Sequence, residues 1–548
     1  MKAKKLLSIL LAASLTLSML AACSGNPSSE SSNPGNSSAT ETDNNGSGTE
    51  TKYVDELNVG TYNSNLFTAC FDPTSVYAGS VMGNGALYMI YDVLFYLDPT
   101  TKTGNSRILE SWDWDDTYTQ LSIKLRDNIF FSNGTQLKCS DILYSIDQMT
   151  GQIARAATFK NYDLDASRAT ISDDGLSMTL VLRSTAANFY DNATFAILCE
   201  DYIENEMGGG ENIDWFDPDQ VVGSGSYKPT EFVPGSNITL EKREDYWGLA
   251  YGYDDPYLVV NATNYTDQST MAIELETGTL DVAIDLAIND FDRLDAITDD
   301  NITTVAANGN SNWNLTLATN ANEALKDPLV RQAICEAIDT KALTDAVAGS
   351  YGSVADSILA SGEIGYVGGH AYEYNPDHAR ELLAQAGYSD GDIKLHMLIM
   401  NSEPCPSICV VVQQYLKEIG IELTYESMDM ATYNSAVGTE GATDMMLAAM
   451  AGMNTSGDPA IEMNWFLSTS NYAGMRKSYD DLIQAGLSTM DVTTRADAYG
   501  QIQDLFYENY EAVPLYTLYK GYAYNNEIFS RLTIASTLIT WLFDCELA

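Results

Sequence analysis

Side chains that could perform chemistry are numerous in this sequence but are not grouped. The 548 residues include 8 Cys, 3 His and 76 Asp+Glu. The histidines are scattered along the chain: His370, His378 and His396. The CxxxC pair Cys405 and Cys409 has no second cysteine or histidine cluster beside it, so the sequence predicts no metal site. The sequence also has no GxSxG elbow, HExxH motif or matching Cys/His pair, so we predict a protein that is not an enzyme and carries no cofactor. The alternative to a protein without catalytic activity is a secreted enzyme, for instance a glycosidase that uses two of the carboxylates.

The cysteines leave their pairing open. Apart from Cys23, seven remain, and an odd number cannot all pair. Cys405 and Cys409 are the one close pair, and a disulfide between them would suit an oxidising compartment. Cys335 falls on the apolar face of a helix, where a buried thiol acts as a small hydrophobe. The sequence does not decide how six of the cysteines pair: Cys70, Cys139, Cys199, Cys405, Cys409 and Cys545.

The charge balance argues against nucleic acid as a partner. The chain has 28 Lys+Arg against 76 Asp+Glu, a formal net charge of −48. Phosphate binding needs clustered Lys and Arg, which this composition does not favour. The acidic excess is typical of a solvated surface that keeps a protein soluble.

The first 52 residues predict export and attachment. Lysines precede the apolar stretch 6–22, and this layout predicts a signal peptide over residues 1–22. A retained anchor helix is the alternative, but 17 residues are slightly short for a span of about 30 Å. The sequence "LAAC" resembles the lipobox of bacterial lipoproteins, which implies that the Cys23 thiol carries a diacylglycerol. Residues 24–52 are rich in Ser, Gly, Asn and Thr, so 23–52 should be a lipidated cysteine with a flexible tether.

The front of the remaining chain predicts two β-hairpins. "SWDWDDTYTQLSIKLRDNIFFSNGT" contains an acidic turn followed by the alternation of Leu121, Ile123 and Leu125 on one face of a strand. "GSGSYKPTEFVPGSNITLEKREDYWG" turns at Pro-Gly, and Ile238 and Leu240 alternate on the returning strand.

From about residue 325 the pattern changes to mixed α/β. Asp327, Asp339 and Asn375 each stand where a helix N-cap is expected, and a proline follows the first and the third of them. Apolar residues then alternate from Ile393 to Ile399, a helix follows, and "IELTYE" predicts another strand. Such a strand, helix and strand series implies a parallel pair with a right-handed crossover.

Several stretches together resemble one family. These are "RILESWDWDDTYTQLSIKLRDNIFFSNGTQLKCSDILYSI", "VVGSGSYKPTEFVPGSNITLEKREDYWG", "TMAIELETGTLDVA", "KDPLVRQAICEAIDTKAL", "NPDHARELLAQAGY" and "YENYEAVPLYTLYKGYAY". In this order they look like family 5 extracellular solute-binding proteins, the oligopeptide and dipeptide binders of bacterial ABC importers. The resemblance covers nearly the whole chain after the tether.

The resemblance implies a fold and a domain order. The fold is α/β, a two-lobed, three-domain clamp of the periplasmic-binding-protein type (class II, cluster C) with mixed sheets. Domain I would be discontinuous, domain II would be inserted in it, and domain III would be the α/β segment. The implied ranges are 53–95 for the first segment of domain I, 96–220 for domain II, 221–313 for the second segment of domain I, 314–508 for domain III and 509–548 for the return to domain I.

The ligand is less clearly implied than the fold. Peptide-binding members carry an aspartate four residues before the proline of a "DYxDP"-like loop, and it binds the ligand's α-ammonium. Here the loop reads "GMNTSGDPAIEMNWF", and Thr455 stands four residues before Pro459. A neutral threonine cannot supply a charge-assisted contact, which is roughly twice as strong as a neutral one. Either Asp458, Glu462 or another carboxylate holds the amine, or the ligand has no amine, as with the oligosaccharides that other relatives bind.

Aromatic side chains in segments that match the family's cleft suit a peptide or a sugar. Trp313 would lie where the chain crosses between lobes, and Trp465 follows the ligand loop. For each aromatic alone, ordinary core packing is the more frequent role, because aromatic side chains dominate protein cores. Arg476 is one of few cations there and could neutralise a ligand carboxylate. The predicted ligand-binding residues are Tyr62, Trp313, Asn314, Asn454, Thr455, Asp458, Trp465, Arg476, Tyr516 and Tyr519.

These observations predict a monomeric solute-binding protein that captures an oligopeptide and delivers it to the transmembrane subunits of an ABC permease. The resemblance places it at the outer face of the bacterial cytoplasmic membrane, exported by the Sec pathway and held there by its lipid anchor. One alternative is import of an oligosaccharide or another amine-free ligand. A surface sensor built on the same clamp is the alternative from a different class.

Overall fold

A computed structural model describes most of the chain after the predicted tether. The described residues are 53–62, 71–74, 81–97, 104–148, 164–185, 189–297, 301–437, 439, 441–451, 459, 463, 467, 478–532 and 545–548. The predicted signal peptide, the tether, Cys23 and Cys70 lie outside them. Within the described residues, every helix is too short or too polar to cross a membrane.

The strands alternate with helices in the rear half and dominate the front half. The strands are β1 (Val54–Tyr62), β2 (Tyr96–Leu97), β3 (Gly104–Asn105), β4 (Leu109–Trp114), β5 (Gln120–Leu125), β6 (Thr170–Ile171), β7 (Ser177–Val181), β8 (Tyr227–Val233), β9 (Asn237–Lys242), β10 (Tyr257–Tyr265), β11 (Val282–Leu286), β12 (Ile302–Leu317), β13 (Gly352–Val354), β14 (Ile393–Met400), β15 (Ile421–Met428), β16 (Met445–Ala451), β17 (Ala512–Asn525), β18 (Phe529–Arg531) and β19 (Glu546–Leu547). The α-helices are α1 (Val81–Ile90), α2 (Cys139–Gln148), α3 (Phe189–Asn192), α4 (Gln268–Glu276), α5 (Ile288–Asp295), α6 (Glu323–Lys326), α7 (Pro328–Ala337), α8 (Thr340–Val347), α9 (Pro376–Gln385), α10 (Cys405–Glu418), α11 (Met430–Val437), α12 (Ser478–Leu487) and α13 (Val492–Glu508).

One mixed sheet runs through both halves of the molecule. It has 11 strands in the order β15-β14-β16-β12-β17-β11-β1-β10-β9-β8, with β13 paired to β17. The two longest strands, β12 with 16 residues and β17 with 14, are antiparallel to each other. They join the front strands to the rear strands, and their register shifts between Asn308 and Asn312 and again between Trp313 and Asn314.

The two predicted hairpins are confirmed. β4 and β5 are antiparallel, and Leu121, Ile123 and Leu125 are buried on one face of β5 while the alternate residues are exposed. β8 and β9 form the second hairpin, with Ile238 and Leu240 buried. Gly235 in its turn has φ 75°, a left-handed conformation that glycine adopts without strain. The first hairpin belongs to a separate four-stranded sheet of order β4-β5-β7-β6.

The predicted helix caps and the parallel strand pair are also confirmed. The Asp327 carboxylate accepts a hydrogen bond from the Leu329 amide, and Asp339 and Asn375 cap α8 and α9 in the same way. A side-chain oxygen at this position satisfies an amide that the first helical turn leaves without a partner. β14 and β15 are parallel on either side of α10, as the alternation predicted.

Two large apolar cores lie at opposite ends of the β12 and β17 pair. Tyr522 belongs to the front core, and Val305 packs against that core. Leu315 and Tyr516 belong to the rear core, which also contains α7, α9 and α10. The same two strands therefore enter two separate cores, and this is the two-lobed α/β clamp that was predicted. The domain boundaries themselves stay a prediction.

The disulfide that the sequence leaves open between Cys405 and Cys409 is not formed in the structure. Both residues are free thiols buried in the rear core. They lie one turn apart on α10, where Cβ atoms four residues apart are about 5–6 Å from each other. A disulfide needs about 3.8 Å between its Cβ atoms, so an unbroken helix keeps these thiols apart. Cys139, Cys199 and Cys335 are free thiols as well.

Candidate functional site

The candidate site lies at the edge of the main sheet where three parallel strands end. β1 is parallel to β10, with Tyr62 opposite Tyr265, and parallel to β11, with Thr61 opposite Ile284. Parallel strands place their carboxyl ends at one edge, and ligands of open α/β sheets bind outside such an edge. Asp285 follows Ile284 at this edge, so the three strand ends bring Tyr62, Tyr265 and Asp285 to the same edge.

Asp285 has an unusual backbone conformation. Its φ is 67°, in the left-handed region where few residues other than glycine occur. The register between β11 and β17 shifts at this point, between Ile284 and Leu286. The Gln268 side-chain amide donates a hydrogen bond of 2.7 Å to the carbonyl oxygen of Asp285, which holds the peptide in place. The backbone at Asp285 is therefore held in place, although its conformation and pairing depart from those of a regular strand.

The strand next to β11 on its other side is β17, and it contributes a lysine to this site. The Lys520 ammonium donates to the Asp285 carboxylate at 3.2 Å, and the two side chains are 28% and 37% exposed. Next to Lys520, the Tyr519 hydroxyl lies 3.1 Å from the Ser353 hydroxyl. The Asp285 carboxylate and the Lys520 ammonium together offer a hydrogen-bond acceptor and a donor to a polar solute.

The Tyr351 side chain holds the backbone at the end of β11. Its hydroxyl donates a 2.9 Å hydrogen bond to the carbonyl oxygen of Leu286, directly after Asp285. Burial raises the pKa of Tyr351 well above its usual value, and the nearby Asp285 charge raises it further. The phenol is therefore neutral at physiological pH and stays a hydrogen-bond donor to the backbone.

The crossing between the lobes is fixed by buried amides. Asn312 donates to the carbonyl oxygens of Ser357 at 2.8 Å and Leu359 at 2.7 Å, and it accepts from the Thr517 hydroxyl at 2.6 Å. Asn314 donates to the carbonyl oxygen of Ile358 at 3.0 Å. These contacts tie the segment 357–359 to β12 and β17 and hold the middle of the crossing in one register.

The predicted ligand residues fall into three groups. Tyr62 is half-buried at the end of β1, close in register to Ile284 and Asp285, whereas Tyr519 is half-buried on β17 next to Lys520 in the chain and contacts Ser353. Trp313 and Tyr516 pair across β12 and β17 and are buried in the rear core, and Asn314 is 0% exposed beside them. The others lie outside the described residues: Asn454, Thr455, Asp458, Trp465 and Arg476. Ligand contact by any of these residues stays a prediction.

Sequence reasoning missed Asp285 and Lys520. A signal was available, because each is a single charge in an otherwise apolar or aromatic strand, "VAIDLAI" and "PLYTLYKGYAYN". A lone charge inside such a run is costly to bury and needs a partner. The separation of 235 positions between the two residues hid their pairing.

A second polar cluster lies at the front core, away from this edge. Asp92 is buried and accepts a 2.9 Å hydrogen bond from the Trp247 indole. Burial raises the pKa of Asp92 to about 6, although hydrogen bonds and nearby arginines oppose the shift. A cavity of about 30 Å³ adjoins it, lined by Tyr88, Tyr91, Asp92, Val93, Tyr96, Arg107, Gly225, Ser226 and Tyr246. Among the described residues, no three His, Cys, Asp or Glu side chains are grouped so as to hold a metal ion.

A mixed sheet shared by two cores, with polar groups at the carboxyl ends of its parallel strands, matches the two-lobed clamp expected of a solute-binding protein. The model of the bacterial extracellular solute-binding proteins, family 5 Middle, matches residues 105–474. The chain therefore belongs to family 5 and is a solute-binding protein of an ABC importer. Family 5 consists of extracellular binding proteins and not of enzymes, which confirms the predicted absence of catalysis.

Individual relatives are distant in sequence but extend over nearly the whole chain. The glutathione-binding protein GsiB of Escherichia coli K12 is 22% identical over 452 residues, 80% of this chain and 85% of its own. The structure of DppA from Helicobacter pylori in complex with the peptide STSA has a TM-score of 0.70 at 21% identity, covering 91% of this chain and 99% of that one. NikA from Staphylococcus aureus in complex with Ni(L-His)2 has a TM-score of 0.65 at 18% identity, covering 90% and 100%. These structures share the fold of this chain.

Proposed function

We propose that this chain is a monomeric, lipid-anchored protein that binds an oligopeptide outside the cell and delivers it to an ABC permease. The observation that carries the peptide assignment is the paired Asp285 and Lys520 at the sheet edge, 3.2 Å apart and both partly exposed. A peptide backbone offers both hydrogen-bond donors and acceptors, and it complements such a pair. The names of GsiB and of the DppA complex support a peptide as the solute class.

The mechanism is capture and closure. The two cores lie at opposite ends of β12 and β17, so a change in these strands would move one lobe against the other. Hinges of this kind absorb changes in a few backbone angles while the packed cores move as rigid bodies. A ligand that contacts both lobes stabilises the closed form by the difference in its affinity for the two forms. The permease would then recognise the closed form.

The anchor keeps the clamp near its permease. The proposed attachment point is the Cys23 thiol, which follows the signal peptide at 1–22. Two or more acyl chains give stable membrane attachment, whereas one gives only marginal binding. If residues 24–52 form the proposed tether, their mean end-to-end distance would be about 30 Å. The clamp would therefore stay close to the outer face of the cytoplasmic membrane, after export by the Sec pathway.

The fold alone does not fix the solute. NikA, with the same fold, is described in complex with Ni(L-His)2. The amine-anchoring position of peptide binders is Thr455 here, so an amine-free solute such as an oligosaccharide is the competing assignment. The choice depends on whether another carboxylate contacts the ligand amine.

Isothermal titration calorimetry separates these assignments. The full chain in detergent is titrated with a pool of tri-, tetra- and pentapeptides and, separately, with a pool of oligosaccharides of similar mass. We expect saturable heat with the peptide pool and none with the sugars. Saturable heat with the sugars alone would overturn the peptide assignment while leaving a solute-binding protein.

A further inference from the structure

We infer that Asp285 is the carboxylate that binds the α-ammonium group of the bound peptide, with Lys520 contacting the first carbonyl oxygen of that peptide. This assignment rests on the proposed function, because it names the ligand chemistry of the same site. It supplies the charged amine contact that Thr455 cannot make.

The backbone of β11 presents Asp285 in a way that core packing does not require. Its neighbours Ile284 and Leu286 are 3% and 1% exposed and account for the packing of the strand. Asp285 between them is at φ 67° and partly exposed. Left-handed residues other than glycine cost free energy, and they concentrate at binding sites where the surrounding structure holds them. Here the Gln268 amide, at 2.7 Å from the Asp285 carbonyl, and the Tyr351 hydroxyl, at 2.9 Å from the Leu286 carbonyl, hold the strained turn.

The carboxylate keeps binding capacity beside Lys520. An ionised carboxylate offers about four acceptor positions on its two oxygens. Lys520 contacts one oxygen, Oδ2, at 3.2 Å. A ligand ammonium can therefore bind the same carboxylate without displacing the lysine, in a charge-assisted bond that is roughly twice as strong as a neutral one.

The pair matches the first residue of a peptide. In that residue the ammonium nitrogen and the carbonyl oxygen are separated by only two carbon atoms, so they can meet a carboxylate and an ammonium that are themselves in contact. Lys520 has three donors and no acceptor, and it selects the carbonyl oxygen. Tyr62, opposite Tyr265 at the ends of β1 and β10, provides aromatic surface at the same edge for the first side chain.

The test uses Asp285→Asn, which removes the charge but keeps the shape of the side chain. Asn tolerates the left-handed conformation as well as Asp does, so the variant should fold, and thermal unfolding verifies this. The matched control is Asp345→Asn, which breaks another lysine pair, with Lys341, on the exposed face of α8. Wild type and both variants, as full chains in detergent, are titrated with the peptide pool and with the same pool N-acetylated.

We expect wild type and Asp345→Asn to bind the free-amine pool at least tenfold more tightly than the acetylated pool. Asp285→Asn should bind the free-amine pool about ten- to a hundredfold more weakly than wild type, because a hydrogen bond to a charged group is lost. It should also lose the preference for the free amine. If Asp285→Asn binds the free-amine pool as wild type does, the assignment of Asp285 is wrong and the proposed function stands. If wild type binds neither pool, the peptide function itself is wrong.

Discussion

We expect substitution of the buried Asn312, in the middle of the β12 and β17 pair, to lower the free energy of unfolding strongly. Asn312→Leu keeps the number and branching of the side-chain heavy atoms but removes the hydrogen bonds to Ser357, Leu359 and Thr517. Asn312 is 1% exposed, so water cannot replace these partners. Two carbonyl oxygens and one hydroxyl would be left without their present partner inside the protein.

The size of the effect follows from these three partners. A buried polar group that loses its partner costs about 1–3 kcal/mol. Three such groups, with some local relaxation, give an expected loss of about 3–6 kcal/mol in the free energy of unfolding. This is a large part of the roughly 5–15 kcal/mol that stabilises an ordinary domain.

Urea unfolding followed by far-UV circular dichroism measures this loss. The control is Asn205→Leu, because Asn205 makes a single exposed hydrogen bond of 2.7 Å to Asp201. Hydrogen exchange of the backbone near residues 357–359 should rise in Asn312→Leu and stay unchanged in the control. A loss below about 1 kcal/mol for Asn312→Leu would contradict a stabilising role of these hydrogen bonds in the middle of β12 and β17.

Two further predictions concern the front core and the anchor. A carboxyl whose pKa is raised in the folded state, as Asp92 to about 6, contributes stability that is present below about pH 4 and lost as the pH rises through 6. The shift from 3.8 to about 6 is worth roughly 3 kcal/mol, so the stability of wild type relative to Asp92→Asn should fall by up to that amount between pH 4 and 7 in urea titrations. Parallel pH profiles of the two proteins would contradict this. Cys23→Ser should move the protein from the membrane fraction to the supernatant after detergent-free washing, with Cys139→Ser as the buried control, and unchanged retention would rule out the anchor.

Local features of the fold could be predicted from the sequence because their signals are local. The helix starts at Asp327, Asp339 and Asn375 follow from side chains that bind an amide two or three residues on. The hairpins follow from alternation on either side of a turn, as with Leu121 and Ile123.

The crossing and the charged edge could not be predicted in the same way. Asn312 and Thr517 are 205 positions apart, and no local pattern indicates that β12 and β17 pair. The discontinuous domain was implied only by the family resemblance. The burial of Trp313 and Tyr516 could not be predicted either, because the sequence pattern of an aromatic residue in a strand is the same whether it packs in a core or faces a ligand.

Capture of a solute between two lobes requires a change in the shape of the protein on binding. Small-angle X-ray scattering gives the radius of gyration of the clamp with and without a saturating amount of the tightest peptide from the calorimetric pool. We expect a smaller radius of gyration with the peptide and no change with an oligosaccharide of the same mass. Saturable heat from the peptide with an unchanged radius of gyration would contradict capture between two lobes.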